Sequence, residues 1–264
     1  MFVENKVVLV TGGAAGIGLC IVKELLKNNA KVCIADISIQ FGPQVLLLND
    51  LEKEYGSGRC IFCKVDVSDK NEFEAAMKKT VEEFGNFDIL INNAGILDDS
   101  IWEREIEINL KGAINGCILA MEHYLPKYRS TQKAVIVNLA SNLGIEKPGA
   151  LPVYSATKSA LIAFSKSISS DVNYNSQKVD VITLCPGPTE TMLLANFTRK
   201  GLNERFNNLL VRFLNERVTT LPQKPECVAK NLMEILNDCK NGEFWEIEDG
   251  MRKEVIIRNQ PEYK

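Results

Sequence analysis

Seven short, mostly apolar runs rich in β-branched residues recur along the chain: Val7–Val10, Val32–Ala35, Ile61–Val65, Ile89–Ile91, Val135–Leu139, Val179–Leu184 and Phe244–Ile247. Each has strand length, and none alternates cleanly between apolar and polar residues. A strand apolar on both sides must be covered on both faces, which points to a parallel sheet between layers of helices. The intervening segments supply those helices. In Ile17–Asn28 the residues Ile17, Ile21, Val22, Leu25 and Leu26 fall on one helical face. Glu72–Phe84, Trp102–His123, Tyr154–Val172 and Val228–Asn237 have similar spacing. This alternation predicts an α/β fold: a doubly wound, mostly parallel sheet of about seven strands with helices on both faces.

No Pro/Ser-rich linker and no repeat divides the chain, so residues 1–264 read as a single domain. One stretch breaks the alternation. Pro186–Pro222 is long, contains no strand run, and carries scattered apolar residues such as Met192, Phe197, Phe206, Leu210 and Phe213. An insertion after a strand's C-terminal end is where α/β proteins place ligand-covering loops. A substrate lid over about 188–221 and a plain core helix with long connections are both consistent with it.

Composition excludes several chemistries. The net charge is −3, so no basic surface points to nucleic acid or anionic membrane. There is one histidine, His123, which rules out a multi-histidine metal site and leaves a Ser-His-Asp hydrolase one possible base. Its place after an apolar helical stretch reads as structural or solvated. The eight cysteines are scattered. Cys60 and Cys63 sit three apart in a strand-like run, so their side chains point to opposite faces. They read as reduced structural thiols, with no metal site expected. The N-terminus MFVENKVVLVTGG has no signal-peptide pattern, no run is long enough to span a membrane, and NQPEYK carries no targeting signal. A cytoplasmic location is therefore expected.

The first strand runs directly into Thr11-Gly12-Gly13-Ala14-Ala15-Gly16-Ile17-Gly18, where a helix begins. Glycine lets backbone adopt positive φ and approach a ligand closely. The helix N-terminus then offers uncommitted N–H groups to a pyrophosphate. A tight structural turn is the alternative. The second strand ends in Asp36, 18 residues past Gly18. An acid there can accept both ribose hydroxyls of NAD and repel a 2′-phosphate, and the turn has no Lys or Arg to hold that phosphate. The alternative is a solvated turn acid.

Tyr154 and Lys158 stand four apart at the start of a helical pattern and share a face. An ammonium beside a phenol favours the phenolate and can make a base near neutral pH without histidine. A surface ion-pair face has the same spacing. Ser141 follows the strand Val135–Leu139, at the sheet edge where such folds bind ligands.

Together these motifs resemble the short-chain dehydrogenase/reductase family, a single Rossmann-type domain. Thr11–Gly18 fits the family's glycine motif, and Asn92-Asn93-Ala94-Gly95, Asn109, Ser141, Tyr154, Lys158 and Pro186-Gly187 follow in register. Asp66-Val67 matches the adenine-contact position, and Thr191, in Pro188-Thr189-Glu190-Thr191, matches a carboxamide-gripping threonine. The resemblance implies roles. Tyr154 is the proton-transfer group and Ser141 hydrogen-bonds the substrate oxygen. Lys158 lowers the tyrosine pKa and holds the nicotinamide ribose, and Asn109 holds a water. It assigns NAD to Gly12, Gly16, Ile17, Gly18, Asp36, Asp66, Val67, Asn93, Ala94, Gly95, Tyr154, Lys158, Pro186, Gly187, Thr189 and Thr191. It also implies a homodimer or homotetramer, through helices Trp102–His123 and Tyr154–Val172.

Within the family the chain is similar to NAD-dependent 15-hydroxyprostaglandin dehydrogenases and insect alcohol dehydrogenase-like members. It departs from them at three places. Leu151 stands where the prostaglandin enzymes carry a substrate-orienting glutamine, Thr183 replaces the usual asparagine, and the Ser-Ser pair is Ala140-Ser141. Substrate contacts are expected from Ser141, Leu151 and Tyr154. The more apolar site points to NAD-dependent oxidation of a lipophilic secondary alcohol to a ketone. An NADPH-dependent carbonyl reductase and a non-catalytic binding or storage protein are the alternatives.

Overall fold

A computed structural model describes residues 1–37, 44–146, 149–216 and 221–257. The seven apolar runs form β1 (Val7–Thr11), β2 (Lys31–Asp36), β3 (Cys60–Lys64), β4 (Ile89–Asn92), β5 (Ala134–Leu139), β6 (Val179–Pro186) and β7 (Phe244–Glu248). Every pairing among them is parallel, in the order β3-β2-β1-β4-β5-β6-β7. The chain direction of travel reverses between β1 and β4, and ligand crevices of open sheets form at such a switch point.

An eighth strand, β8 (Met251–Glu254), pairs antiparallel with β7 and exceeds the expected seven. Its sequence Met-Arg-Lys-Glu has no apolar run, and every residue is exposed. The hairpin is made instead by Asp249-Gly250, whose φ angles of 51° and 76° suit a two-residue turn matched to strand twist. Charged side chains on this edge discourage further strand pairing.

The helices of seven residues or more among the described residues are α1 (Gly16–Lys27), α2 (Gln44–Tyr55), α3 (Lys70–Phe84), α4 (102–128), α5 (Pro152–Ile168), α6 (Asp171–Gln177), α7 (Glu204–Glu216) and α8 (Pro225–Asn237). The expected helix Tyr154–Val172 is interrupted. Ser170 turns extended, and the Asn241 amide takes the Ser169 carbonyl at 2.6 Å, so α5 stops and α6 restarts. Helix α4 widens into π turns at Glu107–Gly112 and Ala120–Tyr124.

Alternate residues of each strand enter opposite cores. Val8, Val10, Val32 and Ile34 pack under α1 and α8. Leu9, Cys33, Ala35 and Leu90 pack with Phe73 and Met77 of α3 and with α4. Cys60 and Cys63 accordingly lie in different cores, and all eight cysteines are free thiols. His123 is exposed. No helix among the described residues is long and apolar enough to cross a membrane. Four residues of the expected lid, 217–220, and the C-terminal residues read for targeting signals lie outside the described residues.

A buried ion pair fastens the N-terminal ends of β1 and β4. Asp88 is fully buried and accepts from the Val7 N–H at 2.9 Å and from the Ser130 N–H and hydroxyl at 2.6 Å. The Lys6 ammonium lies 3.5 Å away and is itself buried. Removing one member leaves an uncompensated buried charge. Asp88→Ala is therefore expected to cost about 3–5 kcal/mol of unfolding free energy, read by urea denaturation. A loss under about 1 kcal/mol, the level of an exposed pair, is the result that contradicts this.

Candidate active site

Glycine is required sterically in the turn after β1. Gly12 and Gly16 have φ of 61° and 53°, and a Cβ on Gly18 would stand 2.1 Å from the Gly12 carbonyl oxygen. The turn is held from β4. The Asn93 side-chain amide donates to the Thr11 and Gly12 carbonyls at 2.8 and 3.0 Å, and the Thr11 hydroxyl accepts from the Asn93 and Ala94 N–H groups. Ala15 precedes α1 and supplies no side-chain cap, so the first-turn N–H groups, Ile17 and Gly18 among them, meet no acceptor from it. Such an end attracts an anion.

Asp36, at the end of β2, accepts from the Ala14 N–H at 3.0 Å, which ties its carboxylate to the glycine turn. On the other side, a Cβ on Gly16 would come within 3.2 Å of the Thr191 methyl. The turn and the segment after β6 thus face one another across a gap that only a glycine leaves open. Uncapped helix N–H groups, a tethered acid and this gap fit a pyrophosphate-bearing dinucleotide.

The other expected cofactor residues are placed less uniformly. Asp66 is held by the Ser68 N–H and hydroxyl and by Arg104. Burial raises its pKa, and these partners outweigh that and lower it. Val67 is buried against Gly112 in the α3–α4 core. Thr189 is engaged elsewhere: its hydroxyl donates to the Gly187 carbonyl at 2.9 Å, and the Gln223 amide reaches it at 3.4 Å. It fixes the turn after β6. Gly187 sits where a Cβ would meet Glu248 at 3.0 Å.

The expected catalytic residues converge at the C-terminal ends of β4 and β5. Pro152 at the first turn starts α5, with φ already suited to a helix, and the next turn carries Tyr154 and Lys158 inward. Both are buried. Lys158 Nζ donates to the Leu139 carbonyl at 2.9 Å and lies 5.7 Å from the Tyr154 ring centroid. Ser141, just past β5, lies close enough to the Tyr154 phenol to lower its pKa, and its hydroxyl accepts from the Leu143 N–H at 3.2 Å. Gly95 brings the β4 loop close, its hypothetical Cβ 3.1 Å from Asn109 Oδ1 and 3.5 Å from Lys158 Nζ. Asn109 lies in the first π turn of α4, and its amide bonds the Ile96 N–H and carbonyl, both at 2.8 Å. Its side chain therefore clamps the β4 loop.

Burial pushes the Tyr154 phenol well above its usual pKa and Ser141 pulls it down; Glu105, when ionised, adds to the rise. The Lys158 ammonium, expected to lower it, gives its hydrogen bond to Leu139 instead. Burial also brings Lys158 down to about 8, against the opposing charges of Glu105 and Cys185. The phenol of this arrangement is protonated at neutral pH.

The short chain dehydrogenase family matches residues 6–201, which contain the glycine turn, Asn109, Ser141, Tyr154 and Lys158. The chain is a short-chain dehydrogenase/reductase. Human 15-hydroxyprostaglandin dehydrogenase [NAD(+)] is 32% identical over 200 residues, covering 76% of this chain and 74% of its own. Alcohol dehydrogenase 2 of Ceratitis cosyra is 33% identical over 270 residues and the full length of both. A short chain dehydrogenase/reductase from Burkholderia phymatum, solved in complex with NAD, superposes with a TM-score of 0.78 at 22% identity, over 94% of this chain and 90% of that one.

Two residues of this short-chain dehydrogenase/reductase escaped the sequence reading. Asp99 is fully buried, and its carboxylate accepts from the Val153 and Tyr154 N–H groups at 2.8 and 2.9 Å, capping α5 from outside the helix. Glu105, on α4, is fully buried beside it. The acidic pair Asp98-Asp99 after Gly95 is a faint signal. Glu105 gives none, because only the packing of α4 on α5 buries it.

Proposed function

We propose that this short-chain dehydrogenase/reductase uses NAD to oxidise a lipophilic secondary alcohol to a ketone. The observation that carries this reading is the apolar wall around the Tyr154 phenol. Leu97, Leu143, Leu151 and Leu210 are buried with Tyr154 in one cluster, and Phe197 and Phe213 pack against it. Leu210 and Phe213 belong to α7, so residues 188–216 act as the cover of the substrate site. Such a wall accepts an alkyl or ring system and offers a carboxylate no partner.

Gly12, Gly16, Ile17 and Gly18 would hold the pyrophosphate through backbone N–H groups. Asp36 would take the adenosine ribose, and Asp66, Val67, Asn93, Ala94 and Gly95 would hold its base and linker. Tyr154, Lys158, Pro186, Gly187 and Thr191 would hold the nicotinamide end, with Thr189 supporting them through the turn. NAD supplies the hydride acceptor at this cleft. Ser141 donates to the substrate oxygen and orients it. The Tyr154 phenol first loses its proton to solvent; the phenolate then takes the proton of the substrate hydroxyl, and the carbinol C–H bond breaks with its electron pair as the C=O forms. Lys158 places positive charge beside the oxygen that accepts the proton, once its ammonium turns from the Leu139 carbonyl. In the reverse direction the protonated Tyr154 is the acid.

We read the protein as cytoplasmic and as a homodimer or homotetramer. Ile101, Trp102, Ile106 and Ile118 on and beside α4 are exposed, which supports association through that face.

The deciding assay follows NADH formation over aliphatic alcohols, terpenols, steroids and prostaglandins. Turnover is expected with an apolar class, and kcat/KM with NAD is expected to exceed that with NADP by at least about tenfold, since Asp36 opposes a 2′-phosphate. A preference for NADP points to the carbonyl reductase. No turnover with any alcohol, together with tight alcohol binding, points to the binding protein.

A further inference from the structure

The mechanism above leaves a buried carboxyl group unexplained. Glu105 has no exposed surface, and one of its oxygens, Oε1, accepts from the Asp98 N–H at 2.8 Å. The other, Oε2, meets no hydrogen-bond donor. The Asp99 carboxyl lies within hydrogen-bonding reach of Glu105. Asp99 already gives both its oxygens to the backbone N–H groups that begin α5. Two carboxylates cannot share a dry site unless one carries a proton.

We propose that Asp99 and Glu105 form a one-proton carboxyl pair that positions Tyr154, with neutral Glu105 donating to the Asp99 carboxylate that caps the catalytic helix. The pair rests on the dehydrogenase reading of Tyr154 and Lys158 and adds positioning residues to it. It joins three elements. Asp99 holds the start of α5, Glu105 belongs to α4, and the Asp99 N–H donates to the Lys200 carbonyl at 2.8 Å, in the cover segment. The charged and titratable groups facing Glu105 are Asp98 and Asp99 before α4, Tyr154 and Lys158 on α5, and Lys200 in the cover.

The sign of the effect follows from these neighbours. Burial and the Asp99 and Asp98 charges raise the Glu105 pKa, so the proton stays on through neutral pH. When it leaves, a second negative charge appears beside the Tyr154 site. That charge raises the pKa of the phenol and opposes its ionisation, and it repels Asp99 from the cap. Ionised Glu105 therefore holds the phenol in its protonated form, which cannot take the substrate proton.

The test uses Glu105→Gln and Glu105→Ala in the full chain. Glutamine keeps a donor for Asp99 and an acceptor for Asp98, without an ionisation. Glu105→Gln is expected to keep kcat within about threefold of wild type at neutral pH and to show a smaller alkaline fall of kcat than wild type, the remainder belonging to Lys158, while KM for NAD is unchanged. Glu105→Ala, which leaves Asp99 without its donor, is expected to lose at least about tenfold in kcat with KM for NAD again unchanged. A superimposable pH profile for wild type and Glu105→Gln, or a glutamine variant as poor as the alanine one, overturns the proposal.

A second readout needs no substrate and separates failure of this pair from failure of the dehydrogenase reading. An acid whose folded pKa is raised binds its proton more tightly when folded, so wild type loses stability as pH rises between the unfolded and folded values. The melting temperature of Glu105→Gln relative to wild type is expected to rise between about pH 5 and about pH 8. A constant difference across that range overturns the pair, whether or not any alcohol is turned over.

Discussion

Tyr154→Phe is expected to lower kcat by about a thousandfold, the middle of the range for losing a positioned general acid–base. The change deletes one oxygen from a buried ring whose position is fixed by Leu97, Leu151 and Leu210 and by the Asp99 cap on its own N–H. None of these contacts involves the phenol oxygen. The folded state is expected to shift by only about 1 kcal/mol, the value of one hydrogen bond. NADH affinity is expected to stay within about threefold, because the pyrophosphate and ribose contacts lie at the glycine turn and Asp36. Steady-state kinetics, fluorescence titration with NADH and thermal melting read the three quantities. Wild-type turnover by the phenylalanine variant removes Tyr154 from the mechanism and leaves proton transfer to another group.

Gly18→Ala is expected to abolish cofactor binding while Tyr154 and Lys158 stay in place. The methyl group would stand 2.1 Å from the Gly12 carbonyl oxygen and 2.6 Å from the Asn93 amide nitrogen. Neither neighbour is the free end of a flexible chain. Gly12 is backbone in a positive-φ turn, and the Asn93 amide is bonded to the Thr11 and Gly12 carbonyls. Relief requires α1 to move away from the turn, which pulls its first-turn N–H groups off the anion position. Overpacking of this kind costs about 1–3 kcal/mol of stability. The loss of NADH affinity is expected to reach at least about a hundredfold, since both the turn and the helix end that hold the pyrophosphate are displaced. NADH titration together with urea unfolding separates the two effects. Wild-type NADH affinity in the alanine variant removes this turn from the cofactor site.

The parts of the fold legible in sequence were those carried by local pattern. All seven parallel strands lie within two residues of their apolar runs, because a strand covered on both faces must be apolar throughout. Helix α2 follows residues outside the described set and is charged through Asn49-Asp50-Leu51-Glu52-Lys53, so its apolar face is short. Helix α7 was visible only as scattered Leu and Phe residues within a long connection. Strand β8 has no apolar signature, and its turn residues, Asp249-Gly250, were the only cue. The break between α5 and α6 came from Asn241, a residue 72 positions away along the chain.

The site divides in the same way. Spacing alone put Tyr154 and Lys158 on one helical face and Ser141 at a strand end. It could not say where the Lys158 ammonium would send its hydrogen bond. The Leu139 carbonyl takes it, and burial then dominates the phenol's pKa. Likewise Asn109 and Thr189 were recognisable as motif members, yet their side chains bond the Ile96 backbone and the Gly187 carbonyl.

By itself the sequence determined the parallel sheet, the glycine turn and the tyrosine–lysine pair, since each depends on residues adjacent along the chain or one helical turn apart. Only the tertiary structure decided how these groups are charged. Burial and cross-element contact set that, and they brought Asp99 from one loop and Glu105 from another helix to the start of α5. The desolvation cost of an ionised group depends on every element packed around it, which no local stretch of sequence records.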